Sequence, residues 1–176
     1  MEDKNSYKSI FLRYGILVLL AILGLPFFYF FFTQLTIYPS YFLFNLIYDD
    51  VSLIQTTITV FGQFPIEIIG ACVGGSAYFL LTILNLSTPK IKVNKRLKML
   101  GISYIVFLII NLIRIFILGI MFIESSSALD ITHKLFWYLG STIFIIAIWF
   151  AEVKYFKIKQ IPFYSDLKFL VRKIKN

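Results

Sequence analysis

Charge is scarce in this chain: 15% of its 176 residues are Asp, Glu, Lys or Arg, where an ordinary soluble domain carries about a quarter. With 59% of the residues hydrophobic, a water-soluble fold of this length has nowhere to hide its Phe, Ile and Leu, and lipid is their natural solvent. Cysteine and histidine are scarcer still, with Cys72 and His133 the single example of each. One cysteine makes no internal disulfide, and one Cys with one His falls short of a four-ligand structural zinc site. No metal or other cofactor is expected. A glycine-rich nucleotide loop, an internal repeat and a low-complexity linker are all missing.

Basic residues are missing from most of the chain as well. Apart from Arg114 and Lys134, they fall at Lys4–Arg13, at Lys90–Lys98 and from Lys154 onward. A nucleic-acid binder spreads such groups over a folded surface, whereas these cap apolar runs as membrane anchors do. Nucleic acid is therefore not an expected partner.

A bilayer core takes about 20 apolar residues as helix. Four runs qualify, at 14–32, 68–86, 99–123 and 134–153, the first with Pro26 as a kink. The run at 14–32 is longer than the apolar core of a cleaved signal peptide, so it reads as a retained helix. The segments between the runs alternate in character. Residues 33–67 hold Asp49, Asp50 and Glu67 with no Lys or Arg, 87–98 are strongly basic, 124–133 are acidic or neutral, and the tail 154–176 is basic. The positive-inside rule then places both termini and the middle loop in the cytoplasm and the long loop 33–67 outside. The expected fold is one all-α membrane domain with four transmembrane helices.

Three smaller elements are expected. Residues 38–48, aromatic and too short to span, read as a helix lying along the outer interface. Residues 56–61 and 64–69 alternate in a strand pattern about Gly62–Gln63, which reads as a β-hairpin; the rival is one bent helix over 51–86. Leu167, Leu170, Val171 and Ile174 share one face of a basic cytoplasmic tail helix.

Arg114 is the residue out of place. It is the one charge in the run 99–123, roughly 14 Å below the outer end, where insertion costs about 2.5–3.5 kcal/mol. Asn111 lies three residues earlier on the same face, so the pair points into the bundle, as a site or as glue between helices. Cys72 sits near the outer end of its run beside Gly74, Gly75 and Ser76, small residues that let another helix approach. His133 opens the last run, on one stripe with Trp137, Gly140 and Ser141. A thiol, an imidazole and a fixed positive charge meeting in the outer half of the membrane are the set for thiol acyl transfer: the thiol attacks a carbonyl, His moves protons, and Arg steadies oxyanion or thiolate. One geometric obstacle stands. Side chains tilt toward their helix N-terminus, which aims Arg114 away from Cys72 unless a kink intervenes.

The order Ala71-Cys72-Val73-Gly74, Asn111-Leu112-Ile113-Arg114 and then His133 resembles the archaeosortase/exosortase family of membrane cysteine transpeptidases, with Val73 where that family usually has Ser. The match spans 68–150. The resemblance implies Cys72, Arg114 and His133 as catalytic residues, supported by Asn111, Gly74 and Ser76. It also implies surface-protein substrates with a C-terminal motif, transmembrane stretch and basic tail, cleaved through a thioester and transferred to a lipid or other nucleophilic acceptor. The alternatives are a non-enzymatic helix bundle, as assembly partner or transporter subunit, and a thiol enzyme that only hydrolyses.

Overall fold

The computed structural model describes residues 2–89, 91–136 and 141–158. Its elements run α1 (Glu2–Asn45), β1 (Val51–Ile54), β2 (Thr57–Val60), β3 (Phe64–Glu67), α2 (Gly70–Val73), α3 (Gly75–Ser87), α4 (Val93–Ile123), α5 (Leu129–Leu135) and α6 (Ser141–Tyr155). The chain is mostly helical with one small sheet. The tail helix expected over 167–175 lies outside the described residues, as do Trp137 and Gly140.

The first helix is longer than its apolar run. The polar residues at 33–36 do not end it, because the Thr33 and Thr36 hydroxyls donate back to the carbonyls of Tyr29 and Phe32. The separate interface helix expected over 38–48 is thus the end of α1. Its two apolar parts, Phe11–Leu20 and Gly24–Asn45, meet at a 66° bend. That bend falls where the ring of Pro26 crowds the carbonyl four residues earlier, the kink expected there.

The hairpin is present, and it belongs to a three-stranded antiparallel meander in the order β1-β2-β3. Strand β1, absent from the expectation, pairs Val51 with Val60 and Ile54 with Thr57. The turn lies one residue before the expected Gly62–Gln63: Phe61 and Gly62 take positive φ, 54° and 61°, and the Gln63 amide donates to the Val60 carbonyl. These strands exclude a single helix over 51–86.

The run 68–86 is not one helix either. Gly74, at φ 72°, ends the single turn α2 and precedes α3. A Cβ at Gly75 would lie 2.8 Å from the Tyr29 ring, so the glycine lets α3 pack closely on α1. Around that contact sits the core, in which Phe32 stacks on Tyr78 with ring centroids 3.4 Å apart, beside Phe28, Leu81 and Phe107.

Among the described residues, α4 is long and apolar enough to cross a membrane, and the bent pair in α1 makes a second candidate if taken as one span. At 13 and 15 residues, α3 and α6 are shorter than a bilayer core requires. Among the described residues the four full-length spans expected from the apolar runs are therefore not all seen: the break at Gly74 shortens the second, and the fourth run includes 137–140, which lie outside the described residues.

Candidate functional site: a cavity shared by Cys72, Arg114 and His133

Where the sheet meets α4, a cavity of about 200 Å³ opens. Cys72 from α2, Arg114 from α4 and His133 from α5 all line it, together with Glu67 of β3 and an apolar wall that includes Ile115, Leu118 and Phe136. The three residues that the sequence marks for thiol chemistry, spread over 62 positions of the chain, thus face one space.

The break at Gly74 is what brings Arg114 to Cys72. A continuous helix would carry Cys72 beyond reach of a guanidinium that tilts toward its own N-terminus. The left-handed Gly74 instead ends α2 before α3 begins, and Arg114 Nη2 donates to the carbonyls of Cys72 at 3.2 Å and Ala71 at 3.4 Å. One turn earlier, buried Asn111 donates through Nδ2 to the carbonyls of Cys72 at 2.7 Å and Val73 at 3.3 Å. Carbonyls at the end of a helical turn have no partner within it. Here the Asn-x-x-Arg pair supplies the partners, its three-residue spacing placing both side chains on one face of α4.

Arg114 keeps donors in reserve. Its Nε–H is buried without a hydrogen-bond partner among the described residues, an unsatisfied donor on a residue that lines the cavity, while Nη2 holds α2. The wall is otherwise mostly apolar, which strengthens any such interaction.

His133 is exposed and borders the cavity from the side. It also borders a second, more open depression with Ser126, Ser127 and Asp130. On the same short helix the Lys134 ammonium donates to the exposed Asp130 carboxylate at 2.7 Å, and that hydrogen bond and charge hold Asp130 below the usual carboxylate range. Of the supporting residues, Gly74 sets the break, whereas Ser76 is exposed on α3 and does not line the cavity. Asp49 and Asp50 are exposed and away from it.

Two groups were not visible beforehand. Pro65, Ile66 and Ile68 line the cavity because β3 runs along it; their strand pattern was readable, their neighbour was not. At the other end of α4, buried Glu152 accepts from Asn85 Nδ2 at 3.2 Å, and the carbonyls of Asn85 and Thr88 accept from Arg96. A lone acid closing the last apolar run was the available signal for Glu152.

No protein-family model, no curated protein and no solved structure matches this chain.

Proposed function

We propose that the chain is a membrane cysteine transpeptidase of the archaeosortase/exosortase kind, acting on surface proteins that carry a C-terminal transmembrane signal. The observation that carries the reading is the single cavity lined by the only thiol, a largely buried guanidinium and the only imidazole. Cys72 sulfur attacks a peptide carbonyl, and its proton passes to His133. The oxyanion is held by the unused donors of Arg114. Collapse of the tetrahedral adduct breaks the C–N bond, His133 protonates the departing amine, and a thioester remains. A hydroxyl or amine of a lipid or other acceptor then attacks the thioester, and the thiol is regenerated; with water as acceptor the same steps give hydrolysis.

Membrane residence is supported by the outward faces. Phe11 and Phe30 are more than four-fifths exposed, and only 22% of the most apolar stretch of α4 is buried within the chain. A core helix of a soluble protein would be mostly covered. In this reading α2 with α3 serves as a broken span, and the run 134–153 that holds α6 supplies another beside α1 and α4, giving four passes with both termini cytoplasmic. The cavity then faces outward, where the substrate's signal emerges.

A second reading is a non-enzymatic bundle, as assembly partner or transporter subunit. It draws on the same hydrogen bonds: the Asn111 and Arg114 contacts to carbonyls of α2 are what interhelical glue makes. The two readings separate by labelling intact cells that express the chain with a membrane-impermeant maleimide. The enzyme reading expects Cys72 to label from outside and to slow sharply in Arg114→Ala. A thiol that stays unlabelled even in detergent, with or without Arg114, leaves the structural bundle.

A further inference from the structure

Four consecutive residues of the chain, Pro65, Ile66, Glu67 and Ile68, line the Cys72 cavity. Side chains of a strand alternate between its two faces. A space touched by four in a row therefore borders the edge of the strand rather than one face. Strand β3 is an outer strand of the meander, paired with β2 alone.

The register identifies which backbone groups that edge displays. The Ile68 amide donates to the Thr56 carbonyl at 2.9 Å, which makes 56 and 68 a hydrogen-bonded pair in line with the pairs Ile58–Ile66 and Val60–Phe64. In an antiparallel ladder the alternate pairs point their N–H and C=O groups outward. Those are Thr57–Glu67 and Thr59–Pro65. Proline at 65 fits, since a residue with no N–H loses no ladder bond there. The open edge thus presents the Pro65 carbonyl and both the N–H and the C=O of Glu67, and no described residue bonds them.

We infer that this edge is the docking strand for the substrate: an extended peptide adds to β3 as a fourth strand, and its scissile carbonyl is thereby laid beside Cys72. The inference rests on the transpeptidase reading and names how its substrate is held. Three features favour an extended peptide as occupant. The edge offers main-chain donors and acceptors in strand spacing, the mode in which backbone gives affinity and alternate side chains give specificity. Strand β3 leads directly into the turn that carries Cys72, so a peptide paired with it is fixed in register to the nucleophile. The wall beyond it, with Ile115, Leu118 and Phe122, accepts an apolar side chain.

The test uses the full chain in lipid nanodiscs and two alkylating probes that react with Cys72 by displacing chloride. Acetyl-tri-alanyl chloromethyl ketone carries a peptide backbone; chloroacetone has the same reactive group without one. Docking on β3 expects the peptide reagent to alkylate about tenfold faster than chloroacetone. The advantage disappears when the peptide amides are N-methylated, and also in Glu67→Pro, while Glu67→Gln keeps it. The N-methylated probe needs no variant, so a poorly folded Glu67→Pro does not blur the result. An advantage that survives N-methylation, or no advantage while chloroacetone still reacts, overturns edge docking and leaves the thiol site standing. If chloroacetone alkylates Cys72 only after denaturation, the thiol is inert and the transpeptidase reading falls with it.

Discussion

The side-chain amide of Asn111 closes the end of the turn that carries Cys72, donating at 2.7 Å to the Cys72 carbonyl and at 3.3 Å to that of Val73. The contact joins residues 39 positions apart, and it decides where the thiol sits. Asn111→Leu removes the donor in a buried place, and each carbonyl left unpaired costs about 1–3 kcal/mol. The expected outcome is a lower unfolding midpoint in detergent with helix content retained. Asn111→Asp, which offers no donor when ionised and repels the carbonyls, falls further. Circular dichroism on heating checks the order, and an Asn111→Leu variant as stable as the parent would show that the amide does not hold α2.

Gly74 is the other half of that arrangement. Its φ of 72° lies in the left-handed region, and a Cβ there would meet the Phe107 ring at 3.1 Å. Gly74→Ala therefore carries backbone strain of about 1–2 kcal/mol besides the ring contact. The substitution is expected to lower stability and to shift Cys72 reactivity together, because the break and the placement of the thiol are one feature. Paired melting and alkylation curves test this; a stable variant with unchanged alkylation would separate them.

Much of this architecture was legible from residues alone, and each exception has its own physical cause. The end of α4 at Ile123, the strands on either side of Gly62 and the kink near Pro26 follow from local patterns: apolar period, alternation and a missing amide. The break at Gly74 was hidden because an apolar run around a glycine reads as continuous helix, and only tertiary contacts such as Phe107 and Tyr29 reveal the left-handed residue and the tight packing beside it. Helix α1 ran past its expected end because Thr33 and Thr36 satisfy themselves on the helix backbone. The grouping of Cys72, Arg114 and His133 was expected from their residue types and order, yet its means was not: the Asn-x-x-Arg pair acts through backbone carbonyls, which no sequence displays.

At the far end of α4, Glu152 and Asn85 form a buried pair that the proposed chemistry does not use. Asn85 Nδ2 donates to Glu152 Oε2 at 3.2 Å, while Glu152 Oε1 and Asn85 Oδ1 have no hydrogen-bond partner among the described residues. Glu152→Gln keeps an acceptor of the same shape and brings a donor to the orphaned oxygens, so it is expected to leave stability unchanged or raise it. Asn85→Leu strips the carboxyl of that donor and is expected to destabilise by about 1–3 kcal/mol. Neither should change the alkylation rate of Cys72, which lies in the other half of the molecule. Urea titration in detergent with parallel alkylation would reveal any coupling between the two ends.

The role of Arg114 divides into charge and hydrogen bonds, and two substitutions separate them. Arg114→Lys keeps the positive charge but brings a compact ammonium in place of the planar fork. Arg114→Gln keeps an N–H donor for the Cys72 carbonyl and gives up the charge. If the guanidinium steadies a thiolate, iodoacetamide should alkylate Arg114→Lys within about threefold of the parent and Arg114→Gln about tenfold more slowly, the scale of one close charge in a mostly apolar wall. If the residue only ties α2 to α4 through the bonds at 3.2 and 3.4 Å, both substitutions lower the unfolding midpoint and the alkylation rates stay level. The first pattern belongs to a charge that works on the sulfur. The second makes Arg114 a strut, and the transpeptidase reading would then lose the group it assigns to the oxyanion.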